Sequence, residues 1–106
     1  MNNSIVQNLT ISSDGDYREN FISVTLRWDS PLLPVSYNLY WYNVNGKLDT
    51  SYGESKINFS PITGVFVSLF AFSIPNEATH LAIYTVVNGV ESSTPAIVKF
   101  TDVVIP

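Results

Sequence analysis

The stretch that decides the fold is Ile22-Ser23-Val24-Thr25-Leu26-Arg27-Trp28. Its even-numbered positions are large and apolar, and the odd-numbered positions between them are polar. This period of two is typical of a β-strand with one buried face, because successive side chains on a strand point to opposite sides. The stretch therefore predicts a strand whose apolar face, ending in Trp28, lies in a core.

Similar runs recur along the chain, and turn residues separate them. Tyr37, Leu39 and Trp41 alternate with Asn38, Tyr40 and Tyr42, and further β-rich runs are residues 5–11, 65–74, 80–87 and 96–104. Asn45-Gly46 and Asn88-Gly89 indicate two-residue hairpins, because a type I′ turn needs positive φ at both central positions. Together these features predict an all-β protein, a two-sheet antiparallel β-sandwich of about seven strands.

Length and composition predict one folded domain. The chain has 106 residues, of which 45% are hydrophobic and 13% aromatic, enough apolar surface to offset the entropy of ordering. We expect residues 1–106 to form a single domain with a core over about residues 5–102. No unbroken apolar stretch exceeds four residues, whereas a membrane-spanning helix needs about 20. Membrane insertion is therefore not expected.

The charge pattern argues against nucleic acid as a partner. The formal net charge is −4, and the five Lys and Arg residues are scattered singly along the chain. Nucleic-acid binding needs clustered cations that neutralise phosphates. The chain also has no cysteine, which excludes disulfides.

The residues present give little reason to expect catalysis or a bound cofactor. His80 is the only histidine, so it is the only available base for a Ser-His pair. A Cys-His pair is excluded because the chain has no cysteine. One histidine among scattered carboxylates does not supply a zinc site. Asp14, Asp16 and Glu19 form a weak calcium candidate, although Asp-Gly pairs are common in turns for purely conformational reasons. We expect no enzyme activity and no cofactor.

Three segments resemble the fibronectin type III family. Residues 24–31 are similar to its second strand, with a buried Trp28 followed shortly by Pro31, and residues 37–41 are similar to its third strand. Residues 74–92 resemble the sixth strand, its turn and the start of the seventh. The chain departs from the family at His80, where a tyrosine is usual, and it has no Arg-Gly-Asp triplet. The resemblance extends more weakly to modules of bacterial multidomain surface proteins and secreted enzymes.

A candidate binding patch follows from the family-like register. If Tyr37, Leu39 and Trp41 face the core, then Tyr40 and Tyr42 point outward. In that register His80, Ala82, Tyr84 and Val86 point inward, which places Leu81 and Ile83 on the outer face. We therefore take Tyr40, Tyr42, Leu81 and Ile83 as a candidate exposed patch. Hydrophobicity alone favours the opposite register, because Leu81 and Ile83 are more typical of a core than His80 and Ala82. A one-residue slip exchanges the two faces of a strand.

The resemblance implies a spacer, adhesive or accessory role rather than chemistry. The leading hypothesis is a non-catalytic structural or protein-interaction module of an extracellular or cell-surface multidomain protein, which spaces or docks neighbouring domains or another protein. The alternative is a carbohydrate-binding accessory module of a secreted enzyme. In that case Tyr40, Tyr42 or Tyr52 would stack on sugar rings, with Asn38 and Asn43 as hydrogen-bond partners.

Overall fold

A computed structural model describes residues 6–29, 36–48, 56–57 and 62–105. Pro31 and Tyr52, both singled out in the sequence, lie outside these residues. The strands in chain order are β1 (Gln7–Ile11), β2 (Phe21–Asp29), β3 (Ser36–Asn43), β4 (Gly46–Lys47), β5 (Phe66–Ser73), β6 (His80–Val87), β7 (Val90–Glu91) and β8 (Ala96–Lys99). In the described ranges no helix is long and apolar enough to cross a membrane.

The strands form two antiparallel sheets. The three-stranded sheet has the order β1-β2-β5. The five-stranded sheet has the order β4-β3-β6, and both β7 and β8 pair with the remaining edge of β6. The prediction of an all-β chain with two antiparallel sheets is confirmed, and the arrangement is compatible with a β-sandwich.

The core contains residues of both sheets. Alternate residues of β2 are buried, from Ile22, which has no exposed surface, to Trp28. Trp28 of the three-stranded sheet meets Tyr37 of the five-stranded sheet edge to face, with 5.0 Å between ring centroids. An edge-to-face contact suits the quadrupoles of two aromatic rings. The period of two in the sequence therefore identified the inward face of β2 correctly.

The register of β6 corrects the predicted patch. Leu81 lies opposite Trp41 and Ile83 lies opposite Leu39, on the inward face of the five-stranded sheet. Leu81 is 0% exposed and Ile83 is 1% exposed. The expectation that these two residues face outward is wrong, because β6 adopts the register that buries its larger aliphatic side chains. Tyr84 consequently lies on the outer face with Tyr40 and Tyr42.

The two predicted hairpins differ in detail. Asn88 and Gly89 have φ of 52° and 78° and join β6 to β7, as a type I′ turn requires. In the other hairpin Asn43 pairs with Gly46, so the two turn residues are Val44 and Asn45. Gly46 opens β4 with a φ of 112°, a conformation that favours glycine. The hairpin exists, one residue earlier than the Asn-Gly pair suggested.

Candidate functional site

The outer face of the five-stranded sheet carries a cluster of polar and aromatic side chains. We call it the tyrosine face, and it consists of Asn38, Tyr40, Tyr42, Lys47, Tyr84 and Glu91. Strand alternation brings these residues together, because each one leaves its strand on the side away from the core. Tyr40 and Tyr42 are half-buried, and Tyr84 is 6% exposed. A residue on an outer face is this well buried only when its neighbours cover it.

Glu91 is the hydrogen-bond acceptor at the centre of the tyrosine face. Its Oε2 accepts hydrogen bonds from the Tyr40 hydroxyl at 2.6 Å and from Asn38 Nδ2 at 2.8 Å. Its Oε1 accepts from Lys47 Nζ at 2.9 Å. The carboxylate therefore joins three strands, since its donors lie on β3 and β4 while Glu91 itself belongs to β7. Hydrogen bonds to a charged group are among the stronger ones in proteins.

Lys47 covers the rings of the tyrosine face. Its Nζ lies 4.1 Å from the ring centroid of Tyr40 and 4.6 Å from that of Tyr84. The two rings meet edge to face with their centroids 5.3 Å apart. An ammonium above an aromatic ring is attracted by the electrons of the ring face. The same cation thus neutralises Glu91 and packs on both rings.

The electrostatics of the tyrosine face favour neutral phenols and an ionised Glu91. Burial and the neighbouring Glu91 raise the pKa of Tyr40 to about 12. Burial, the hydrogen bond with Tyr42 and nearby Glu91 also raise the pKa of Tyr84. Burial by itself would raise the pKa of Glu91, but hydrogen bonds from Tyr40, Asn38 and Lys47 lower it below its ordinary value. The network is therefore intact at neutral pH.

This geometry does not favour the sugar-stacking platform. Stacking needs an open ring face, and the ring of Tyr40 is occupied by Lys47 and Tyr84. The Tyr42 hydroxyl is engaged with that of Tyr84, at 3.1 Å. Of the predicted patch, the structure brings Tyr40 and Tyr42 together on one face and places Leu81 and Ile83 beneath them in the core.

The outer face of the three-stranded sheet has the opposite character. We call it the phenylalanine face, and it consists of Phe21, Arg27, Phe66, Ser68 and Phe70. Phe70 is 83% exposed and Phe66 is 53% exposed. The guanidinium carbon of Arg27 lies 5.4 Å from the ring centroid of Phe66. Exposed apolar side chains that lie close together on one surface mark sites of interaction.

Sequence reasoning missed the phenylalanine face, although one signal was present. The run from Val65 to Ile74 is apolar on both parities except at two serines. A strand that buries one face has no need of apolar residues on the other. Because the same pattern also describes a strand buried on both faces, the sequence did not distinguish the two cases.

A β-bulge shapes the end of this face. The pairing of β2 with β5 shifts register between Ile22 and Val24, and Ala71 has a φ of 55°. The Ala71 N–H donates to Ser23 Oγ at 2.8 Å instead of to a strand partner. A bulge of this kind bends and twists the strand that carries it. Regular pairing of β5 with β2 therefore ends at Leu69 and resumes in a new register at Phe72.

The acidic loop that formed the calcium candidate serves a structural role. Asp14 is 5% exposed and accepts hydrogen bonds from the backbone N–H groups of Asp16, Ser23 and Val103 at 2.8–3.0 Å. Asp16 forms an ion pair with Arg18 at 2.7 Å. These bonds occupy the oxygens that calcium would need. Among the described residues, Asp14, Asp16 and Glu19 do not form a group able to hold a metal ion.

His80 and an open cleft are two further places where chemistry could be sought. His80 is half-buried, and its Nδ1 lies 2.6 Å from Thr79 Oγ1. The cleft, of about 410 Å³, includes Asn20, Phe100 and Asp102 in its lining. Asp102 accepts a hydrogen bond from the Asn20 N–H through one oxygen, while its other oxygen is buried without a partner.

The phenylalanine face and the tyrosine face are the outer surfaces of the two sheets. No protein-family model, curated protein or solved structure matches this chain.

Proposed function

We propose that this chain is a non-catalytic interaction module of the fibronectin type III-like kind, which belongs to an extracellular or cell-surface multidomain protein. It docks a neighbouring domain or another protein through the phenylalanine face. The extracellular setting rests on the resemblance of the three sequence segments, and the docking role rests on the surface described above.

The order of the strands supports the immunoglobulin-like type of sandwich. In that type the first, second, fourth and fifth strands share one sheet, and the third, sixth and seventh strands share the other. The strand β4 departs from this order, because it pairs with β3. Here β1, β2 and β5 form one sheet, and β3 and β6 belong to the other. The strands β7 and β8 both pair with β6 and together take the place of the seventh strand.

The single observation that carries the docking role is the exposure of Phe70 and Phe66 on an edge strand. Phenylalanine has no polar atom with which to bind water, so exposure of a ring costs roughly 25 cal/mol for each Å² of apolar surface. Aromatic residues are enriched at protein interfaces and dominate their energetics. The tyrosine face offers no comparable surface, because the rings of Tyr40 and Tyr84 are covered and the three hydroxyls are paired.

A non-catalytic role agrees with the contacts of the titratable residues. His80 contacts the hydroxyl of Thr79, and among the described residues no carboxylate is hydrogen-bonded to its ring. In the described ranges no group of three or more His, Cys, Asp or Glu residues lies close enough to hold a metal ion. The module therefore acts through its shape and its surface.

A photo-crosslinking amino acid at position 70 tests the docking role in the full-length protein as cells express it. We expect covalent adducts with one defined partner, either a neighbouring domain or another chain. The matched control is Val44, which is 88% exposed in the turn between β3 and β4 and should give no such adduct. The absence of adducts at position 70, or equal adducts at both positions, would contradict the proposal.

A further inference from the structure

Among the described strands, none covers the outer edge of β5, which we call its open edge. β5 is the terminal strand of its sheet and pairs with β2 alone among the described strands. The stretch from Val65 to Ile74 contains no charged residue and no proline. Natural edge strands usually carry lysine, proline or an inward charge that prevents pairing with another chain. Apart from the bulge at Ala71, β5 has none of these protections within this stretch.

The register of β5 determines which backbone groups point to the open edge. The Trp28 N–H donates to the Val65 carbonyl at 3.0 Å, in the same register as the pair Leu26 and Val67. Backbone groups of alternate residues point to the same side of a strand. Val65, Val67 and Leu69 therefore direct their N–H and C=O groups toward β2. Phe66, Ser68 and Phe70 direct theirs to the open edge.

The open edge is self-complementary. Its three outward residues, Phe66, Ser68 and Phe70, are symmetric about Ser68. In antiparallel pairing about a two-fold axis at Ser68, Phe66 of one copy lies opposite Phe70 of the other, and the two Ser68 residues face each other. These are also the residues whose backbone groups are directed outward, so each opposed pair exchanges two hydrogen bonds. A two-fold interface requires such a match of a surface with itself.

We propose that two copies of this chain associate through antiparallel β5–β5 pairing, which joins their three-stranded sheets into one continuous sheet of six strands. The pairing closes about its two-fold axis and leaves no β5 edge open. It also places no like charges together, although each copy has a net charge of −4, because β5 is uncharged. Regular pairing with β2 ends at Leu69 and Ala71 has a positive φ, so Phe70 is the last residue of β5 that the pairing between copies can include.

The surface available predicts a weak dimer. A buried aromatic side chain contributes about 150–250 Å², and Phe66 and Phe70 are 53% and 83% exposed. If the exposed parts of the four phenylalanine rings are all covered, the dimer buries roughly 400–700 Å² of ring surface. The paired backbones add further buried surface. The sum lies below the roughly 1,600 Å² of a standard stable interface. The association is therefore concentration-dependent and suits repeated or clustered copies of the module.

This inference specifies the partner of the proposed docking surface and so rests on the proposed function. Sedimentation velocity of the purified chain from micromolar to millimolar concentration tests it. We expect reversible dimerisation, weakened about tenfold or more by Phe70→Lys, because the change removes a central aromatic anchor and charges the edge. Val44→Lys adds the same charge at an equally exposed site and should leave dimerisation unchanged. A monomer at all concentrations, or equal dimerisation in all three proteins, would overturn the self-pairing.

A mixture of two variants tests the register. Phe66→Glu and Phe70→Lys each place a charge opposite a phenylalanine in their own dimers, so each is expected to be monomeric. When the two are mixed, the introduced carboxylate at position 66 lies opposite the introduced ammonium at position 70. The second pair of that mixed dimer remains Phe-Phe, so dimerisation should return. Failure of the mixture to associate would overturn this register.

Crosslinking in the full-length protein separates the self-pairing from the docking role. Adducts from position 70 to a different protein, together with a purified chain that stays monomeric, would overturn self-pairing while leaving the proposed docking function intact. Adducts between two copies of the chain at this position would support both.

Discussion

The two outer faces of this domain both carry aromatic residues, but these residues are covered on one face and exposed on the other. Tyr84 of the tyrosine face is 6% exposed, whereas Phe70 of the phenylalanine face is 83% exposed. Tyr84 is covered by Lys47 and bonded to Tyr42. The hydroxyl of a tyrosine forms hydrogen bonds with neighbouring side chains, and these neighbours then cover its ring. A phenylalanine ring has no polar group that could hold neighbours in this way. The face without phenols is the one whose rings stay exposed.

The largest expected effect separates a buried residue of β6 from an exposed residue of β5. Leu81→Ala should lower the free energy of unfolding by about 2–5 kcal/mol, since it leaves a cavity in the core. Phe70→Ala should change that free energy by no more than about 0.5 kcal/mol, because the ring is at the surface. Urea denaturation of dilute protein measures both. A small effect at Leu81 would restore the register in which that residue faces outward.

The next effect concerns the centre of the tyrosine face. Glu91→Ala removes the acceptor of three side-chain donors and should cost about 1–3 kcal/mol of unfolding free energy. Glu19→Ala is the matched control, because Glu19 is an exposed carboxylate in a loop. We expect that change to stay within about 0.5 kcal/mol. Equal effects of the two substitutions would show that the network adds no stability.

The pH dependence of stability tests the same face with a smaller effect. The pKa of Glu91 is lowered in the folded state, so its contribution is present above the unfolded value of 4.5 and is lost as the pH falls through the folded value. The pKa of Tyr40 is raised from 10.0 to about 12, so its contribution is present below 10 and is lost as the pH rises toward 12. The urea concentration at the midpoint of unfolding should fall as the pH drops below 4.5 and as it rises above 10. Glu91→Gln should flatten the acid limb, and Tyr40→Phe should flatten the alkaline limb.

The smallest expected effect is the response to sugars. Because Lys47 and Tyr84 occupy the ring of Tyr40, we expect no change in the nuclear magnetic resonance signals of Tyr40 and Tyr42 when soluble oligosaccharides are added. The double variant Tyr40→Ala with Tyr42→Ala is the control. Saturable shifts in the parent chain that disappear in this variant would favour the carbohydrate-binding alternative.

The sequence predicted the strands well where one parity was clearly apolar. In β2 and β3 the residues predicted to face inward are buried, and the residues between them are half-buried or exposed. In β6 both parities are apolar, and the family-like register placed Leu81 on the wrong side. Local pattern does not resolve such a strand, because the choice depends on the residues of β3 that pack against it.

The candidate site was less accessible to sequence reasoning for a related reason. Glu91 is 44 positions from its partner Lys47 along the chain, and only the pairing of β3 with β4 and β6 brings them together. The openness of β5 likewise depends on its place at the edge of a sheet, which composition does not report. The uncharged run from Val65 to Ile74 was visible, but its edge position was not.

Amide hydrogen exchange of β5 tests the central claim most directly. In dilute protein, the amides of Val67 and Leu69 should exchange slowly because they are bonded to β2, whereas those of Phe66, Ser68 and Phe70 should exchange fast. At high concentration the second group should become protected. Slow exchange of Phe66, Ser68 and Phe70 in dilute protein would contradict the account, because it would show that the edge of β5 is already covered within a single chain.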